Sequence, residues 1–469
     1  LGKNARNELG KNIPRNFLIT TRGKGNVPRN RKKRQNHRVS ATTFKLSQDR
    51  ELFELVKRAY ELDDWNLKED DLPLNKGIKG GPKPKALWSE EEHIAFDKME
   101  TRHVVDDPES EFVVARLPWK EGHEQRLKDN FESVKRRQEV SLSKASLAKK
   151  GITLKQVEDI FKGYLEKGYI KEVPKEEHGK GWYLPFFCVV NLDKKSTPIR
   201  PVFDAKAQFN KVSLNNQIMD TPNMLNDTWP TLLNLRQYKY AMTGDISEMF
   251  LRIRLHEDDQ PYHRFIIGDK VYQWTRILFG NKSSPNISQK SLLEVCNKYE
   301  KQYPVAVKYI TDWIYMDDVA ASTMTEQELC QLAIELPPLL RHADMKITKF
   351  YTNSRMALQV IPKELVAEQI QQFEDKDTVF ESNKVLGMVW DAATDEFKFN
   401  SKFRTVNEWL EKFNFKTWTK RTVLKTAAST YDPLGLIAPL TVHARVVIQR
   451  LWTLELDWDD PIPEENAHR

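Results

Sequence analysis

"YITDWIYMDDVAAS", residues 309–322, sets Asp317 and Asp318 side by side in a run whose other members, Ile314, Tyr315, Val319 and Ala320, suit a buried β-hairpin. Like charges at neighbouring positions repel, and burial disfavours each of them further. The spacing predicts a hairpin over 308–323 with its tight turn near Met316-Asp317, since Asp tolerates turn geometry. Alone, the pair reads as an acidic turn. A third carboxylate shifts that reading: Asp245, in "TGDISEMF", closes the apolar strand "YKYAMTGD", again where a charge is unexpected. Carboxylates gathered on adjacent strands raise one another's pKa unless divalent cations neutralise them. Mg²⁺, hard and oxygen-loving, is the natural partner, and two such ions roughly 3.5–4 Å apart suit nucleotidyl transfer.

At 469 residues the chain exceeds the size of a single core, so several subdomains are expected, and 39% hydrophobic with 10% aromatic residues is a globular composition. Cys188, Cys296 and Cys330 are far apart and lack CxxC or zinc-finger spacing, which argues against a disulfide framework or structural zinc and suits a reducing compartment. No apolar stretch approaches the roughly 20 residues that span a bilayer, and the first thirty residues lack a signal-peptide pattern, so neither secretion nor membrane insertion is expected. Residues 1–40 hold twelve Lys/Arg and one Glu, more than the whole net charge of +7, so the rest of the chain is net acidic. This basic arm, with "RNRKKRQNHR" (29–38), is expected to be disordered. It suits nucleic-acid attachment or nuclear import, or equally a solvated leader. The Leu1 start and the "NAHR" end suggest a piece of a longer polyprotein.

Residues 41–75 have an imperfect helical face, and "NKGIKGGPKPK" (75–85) is a Gly/Pro linker without P-loop spacing. A strand is expected at 113–116 and a polar helix at 122–150. Residues 153–168 predict an amphipathic helix capped by Thr153 with Gln156 and stopped by Gly168. "GWYLPFFCVVNLD" and "IRPVFDA" predict strands joined at "KKSTP". "MFLRIRL" alternates as a strand, "RFIIGDKVYQWTRILF" predicts a hairpin turning at Gly268-Asp269, and a helix starts at Ser284-Pro285. Strands and helices interleave without βαβ regularity, which makes the fold class α+β.

"YMDD" after an apolar strand resembles the signature of reverse transcriptases. The ordered blocks "IRPVFDAKAQFNKVSLN", "TGDISEMFLRIRLHEDD", "RILFGNKSSPNISQ", "YMDDVAAS", "MKITKFYTNS", "VLGMVWD" and "STYDPLGLIAPL", with "LDWDDPIP", resemble the Pol polyprotein of BEL/Pao long-terminal-repeat retrotransposons over roughly residues 86–469. The resemblance implies a right-hand polymerase. Its parts are a basic disordered arm (1–40), a helical spacer and linker (41–85), an N-terminal extension with fingers (86–240), a palm with a fingers-like insertion (241–375), and a primer-grip hairpin with the start of thumb or connection (376–469).

It further implies an RNA-directed DNA polymerase that takes dNTPs and an RNA or DNA template-primer. Asp245, Asp317 and Asp318 would be ligands of two Mg²⁺ ions, with Mn²⁺ as a substitute, and Lys349 would be a general acid for pyrophosphate. Phe250 would be the ring that excludes a 2′-hydroxyl, Arg200 with Asp204 a triphosphate site, and Phe279, Gly280 and Lys282 a lining of the nucleotide and template pocket. Tyr315 and Met316 would stand at the primer end, and Gly387 with Trp390 in the primer grip. Protease, RNase H and integrase of the same polyprotein are implied partners, and a virus-like particle in the cytoplasm, with nuclear entry, is the implied setting. Relatives commonly carry "YLPHH" and "RVVFDAS" where this chain has "YLPFF" (183–187) and "RPVFDAK" (200–206), so Pro201 removes a backbone donor beside Arg200. No D[ST]G protease motif, RNase H carboxylate cluster or integrase HHCC set is found in the chain. The alternative function is a transposon relic without catalysis, serving as a nucleic-acid-binding or assembly module.

Overall fold

A computed structural model describes residues 85–107, 110–191, 198–367, 383–399, 418–427 and 431–463. The basic arm, and the spacer and linker up to residue 84, lie outside the described residues. The chain enters through helix Glu90–Lys98, where Ser89 and Glu92 form a reciprocal capping box. Strands β1 (Thr101–Asp107) and β2 (Ser110–Ala115) follow as an antiparallel pair.

The polar stretch expected as one helix is three: His123–Arg126, Phe131–Ser141 and Lys144–Ala148. Asn130 explains the first break. Its side chain donates to the Tyr183 carbonyl (2.9 Å) and accepts from the Tyr183 amide (2.8 Å), which holds the residue outside a continuing helix. Ser143 caps the third helix by accepting from the Ser146 amide. Helix Leu154–Glu166 begins with the expected Thr153/Gln156 box and ends before Gly168, which has φ +67.

The remaining strands are β3 (Ile170–Glu172), β4 (Phe186–Val190), β5 (Ile199–Phe203), β6 (Tyr240–Ser247), β7 (Arg254–Leu255), β8 (Arg264–Ile267), β9 (Lys270–Trp274), β10 (Ile314–Tyr315), β11 (Asp318–Thr323), β12 (Lys346–Thr352), β13 (Asn383–Val385), β14 (Met388–Asp391) and β15 (Glu396–Lys398). They make sheets of order β1-β2-β7, β4-β5, β3-β9-β8, β10-β11-β6-β12 and β13-β14-β15, a mixed α+β architecture. β8 and β9 turn at Gly268-Asp269 as expected, and Pro201 sits opposite Cys188 in the two-stranded β4-β5 pair. No helix among the described residues is long and apolar enough to cross a membrane.

The four-stranded sheet is buried on both faces, and the alternation of its strands divides their side chains between two cores. Val319, Ala321, Ile246, Ile347 and Phe350 join Leu329, Leu332, Leu336 and Leu340 of helix Glu326–Arg341. The neighbours in between, Ala320 and Tyr351, join Leu232 and Leu235 of helix Thr228–Leu235 and the β14 residues Met388 and Trp390. A strand apolar on both faces leaves no ordinary place for a charge.

Two further expectations fail for the same physical reason. Residues 308–313 belong to helix Pro304–Trp313, not to the hairpin, with Pro304 in its first turn and Ala306, Tyr309 and Ile310 buried on one face. "MFLRIRL" is a single helical turn, Met249–Arg252, followed by β7. In both, the stretch in question is too short for its period to separate helix from strand. Replacing Asn130 with Ala strands the Tyr183 amide and carbonyl in the interior and should lower unfolding free energy by about 2 kcal/mol. Urea denaturation with the wild type as reference measures it, and an unchanged midpoint would contradict the account.

Candidate active site

Asp318 opens β11 and lies directly opposite Asp245 of β6, while Thr348 of β12 flanks Asp245 on its other side. The β10-β11 hairpin pairs Ile314 with Val319 and Tyr315 with Asp318, so Met316-Asp317 is a two-residue loop, as the sequence predicts. Met316 adopts φ +53, a left-handed conformation that costs an L-residue roughly 1–2 kcal/mol. The loop is tied to the sheet, because the Asp317 carbonyl accepts from the Ile246 amide at 2.8 Å.

Backbone pairing thus sets Asp245 and Asp318 face to face at one edge of the sheet, with Asp317 exposed in the adjoining loop. Burial, then the charges of Asp317 and Asp245, push the Asp318 carboxyl up to about 7. Asp317 is raised too, by burial first and by Asp245. Lys349 opposes both shifts, and its ammonium donates to Asp245 Oδ2 at 2.7 Å. It reaches that oxygen from a β-bulge: Thr348 pairs with Asp245 and Tyr351 with Thr243, so one extra residue is accommodated and Lys349 takes φ +56.

Among the described residues no three carboxylate, imidazole or thiolate groups already converge as a ligand shell. Asp245 is neutralised by Lys349 instead. The donor set is nevertheless of the right kind: carboxylate oxygens only, two of them driven toward the protonated form by burial and then by a repulsion that a hard divalent cation relieves.

A second group lies on the following elements. Phe250, buried in the turn Met249–Arg252, meets Phe279 edge to face with centroids 4.8 Å apart, and Phe279 is 51% exposed. Gly280 has φ +104, and a side chain there would meet the Phe203 carbonyl of β5 at 2.8 Å, so only glycine lets this loop rest on β5. Asn215 fixes the loop by donating to the Gly280 carbonyl (2.9 Å) and accepting from the Lys282 amide (3.0 Å). The Lys282 ammonium is held by Asp220 at 2.7 Å. Arg200 stands on β5 opposite Val189, and Asp204 just beyond that strand is bridged by Arg137 at 2.8 Å.

The third group is the β13-β14 hairpin. Leu386 and Gly387 both have positive φ, and a Cβ on Gly387 would strike the Tyr431 ring at 2.7 Å. Tyr431 is raised by burial and by Tyr315, which brings the hairpin tip to the β10 side of the carboxylates. Trp390 is fully buried, edge-on to Tyr351 with its Nε1 donating to Asp395 Oδ1 at 3.3 Å, so it fixes the hairpin to the sheet.

Asn215 and Tyr431 shape the site without standing out in the sequence. Glu248 is similar, the residue at φ +55 that ends β6 and accepts from Lys167 and Tyr169, each at 2.8 Å. The one available signal was their place inside blocks already singled out, "KVSLN", "STYDPLG" and "TGDISEMF".

Because the folded Asp318 carboxyl holds its proton to about 7 against 3.8 unfolded, the folded state binds more protons over that interval and metal-free stability falls as pH rises through it. Asp318→Asn removes the penalty. In EDTA its melting temperature should exceed that of the wild type near about pH 8 and converge with it near about pH 4. A variant less stable than the wild type at the higher pH would refute this origin of the shift.

Residues 192–353 match the family described as reverse transcriptase (RNA-dependent DNA polymerase), and residues 419–469, placed by the sequence at the start of a thumb or connection, match the Pao retrotransposon-like RNaseH-like domain. The chain is 32% identical to the Gag-Pro-Pol polyprotein of Human T-cell leukemia virus 2 over 111 residues, 22% of this chain and 7% of that one. It is 27% identical to the Pol polyprotein of Equine infectious anemia virus (strain Wyoming) over 164 residues, 32% of this chain and 14% of that one. It therefore spans a small part of the curated relatives it matches. Among solved structures it is similar to a foamy viral protease-reverse transcriptase in complex with double-stranded DNA (16% identity, TM-score 0.44, 66% of this chain and 45% of that one). A second, in complex with an RNA/DNA hybrid, has 16% identity and TM-score 0.42 over 67% of this chain and 35% of that one. Residues 192–353 are thus a reverse transcriptase region and residues 419–469 a Pao retrotransposon RNaseH-like segment behind it, the arrangement of a BEL/Pao-type retrotransposon Pol.

Proposed function

We propose that this chain is an RNA-directed DNA polymerase that adds dNTPs to a primer 3′ end on an RNA or DNA template. The observation that carries the reading is the direct pairing of Asp245 with Asp318, with Asp317 in the adjoining two-residue loop. In this reading residues 241–375 are the palm, 86–240 the N-terminal extension and fingers, and 376–469 begin with the primer-grip hairpin. The protease and integrase regions of a Pol polyprotein would act beside it, and residues 419–469 carry its RNaseH-like segment.

Asp245, Asp317 and Asp318 would hold two Mg²⁺ ions, which supply activation of the primer hydroxyl and charge stabilisation at the transferring phosphoryl group. The chain's own residues do the rest. Phe250, which meets the Phe279 ring, would close the space that a 2′-hydroxyl needs. Arg200 offers a planar fork to the triphosphate. Gly280 lets the backbone approach the incoming nucleotide, and the exposed Phe279 face can stack on a base. Lys282 would have to leave Asp220 to meet a phosphate. Tyr315 and Met316 border the primer end, with Gly387 at the hairpin tip beyond Tyr431. Lys349 Nζ, which donates to Asp245 Oδ2 at 2.7 Å, would be the group that protonates pyrophosphate.

Purified protein should extend oligo(dT) on poly(rA) with Mg²⁺, and Asp317→Asn should reduce extension to background while leaving the fold intact by circular dichroism. Equal extension by both proteins would remove the polymerase reading and leave a nucleic-acid-binding module. Phe250→Val should raise ribonucleotide incorporation relative to deoxyribonucleotide by about 10–200-fold, the span that small changes of pocket volume produce. An unchanged ratio would reduce Phe250 to packing.

A further inference from the structure

Three guanidiniums gather beyond the carboxylate edge. Arg252 ends the helical turn, Arg254 opens β7, and Arg276 is bridged to Arg254 across an antiparallel contact, so the backbone holds the last two side by side. Asp344, at φ +56 before β12, is the carboxylate they share: Arg252 Nη1 lies 3.8 Å from it, and it feels the charge of all three arginines. Glu248 is already engaged by Lys167 and Tyr169 and reaches Arg252 at 3.4 Å. Cations outnumber carboxylates here.

Hydrogen bonding in the cluster is also incomplete. The Nε atoms of Arg252, Arg254 and Arg276 are all buried without an acceptor among the described residues. Among the described residues the Arg276 guanidinium donates only to its neighbour Thr275, at 2.9 Å to the hydroxyl and 3.3 Å to the carbonyl. The Arg254 guanidinium lies 3.2 Å over the Phe112 ring, and the Tyr169 ring faces Arg252 and Arg276 at 6.0 and 5.6 Å. Aromatic faces orient these planes but satisfy no N–H. Burial and the charge of Arg254 hold Arg276 below its ordinary value, the sign of cations crowded together with too little compensation.

A tetrahedral oxyanion supplies what is missing, several acceptor oxygens with negative charge at one point. We propose that Arg252, Arg254 and Arg276 form a phosphate-binding site, distinct from the Asp245/Asp317/Asp318 edge, for a backbone phosphodiester of a bound nucleic-acid strand or a free phosphate group. Only the identification of a strand as the source rests on the polymerase reading.

The test compares the wild type with R254Q/R276Q in EDTA, where polymerisation plays no part. Anisotropy of a labelled RNA/DNA duplex is followed as salt is raised, and melting temperature is followed with inorganic phosphate against chloride at matched ionic strength. A strand phosphate predicts that the slope of log affinity on log salt falls by about 0.9 for each phosphate the variant no longer neutralises. A free phosphate predicts an unchanged slope and disappearance of the phosphate-specific rise in melting temperature. Both readouts unchanged overturn the site. Should the Gln pair not fold, R254K/R276K keeps the charge and removes the planar fork, so its phosphate-specific rise must be smaller than that of the wild type. An equal rise overturns the proposal.

Discussion

Asp245 and Asp318 face each other across two hydrogen-bonded strands whose other residues are buried on both sides, and everything around them compensates for that placement. Like charges directly opposite on a sheet are destabilising, and burial deepens the cost. The sheet holds them because its register is fixed from both faces. A slip of one residue would exchange Val319 and Ala321 with Ala320, and each set is packed into its own core. Core packing thereby supplies the free energy that keeps the carboxylates together.

Local backbone strain is concentrated around the same edge. Met316 in the loop, Glu248 at the end of β6 and Lys349 in the β12 bulge all take positive φ without being glycine. Each re-aims a short piece of chain relative to Asp245: Met316 places Asp317, Glu248 turns the chain into the helix carrying Phe250, and Lys349 delivers an ammonium to the Asp245 carboxylate. Strained conformations of this kind persist only where surrounding packing over-determines them, and they gather at functional sites. The two tight glycines, Gly280 against Phe203 and Gly387 against Tyr431, bring the neighbouring loops in without comparable strain.

What was legible in the sequence follows from this division. The hairpin turn at Met316-Asp317, the Gly268-Asp269 turn and the Thr153 capping box are local signals carried by a few residues, and each stands where the sequence puts it. Helix 304–313 and the turn 249–252 were not legible as helices, because the stretches in question are too short for their period to decide. The three helices of 123–148 depend on Asn130 meeting Tyr183, a partner distant in sequence. Trp390 shows the same limit at the site. Its block resembles a primer grip, yet whether its ring faces a ligand or a core depends on Tyr351 and the helix Thr228–Leu235, which no local pattern names.

The charge distribution carries one more consequence. Beyond the basic arm the chain is net acidic, so attraction to a polyanion has to come from local groupings of cations. Several cations near the site are committed to carboxylates: Lys349 to Asp245, Lys282 to Asp220, Arg264 to Glu177 and Arg236 to Asp395. Committed pairs neutralise the protein's own acids and contribute little long-range field. Arg252, Arg254 and Arg276 differ because, beyond the contact of Arg252 with Glu248, they share one carboxylate, and their buried Nε atoms have no acceptor among the described residues. An excess of partly desolvated guanidinium favours an anion's oxygens close by, which aromatic faces alone do not provide.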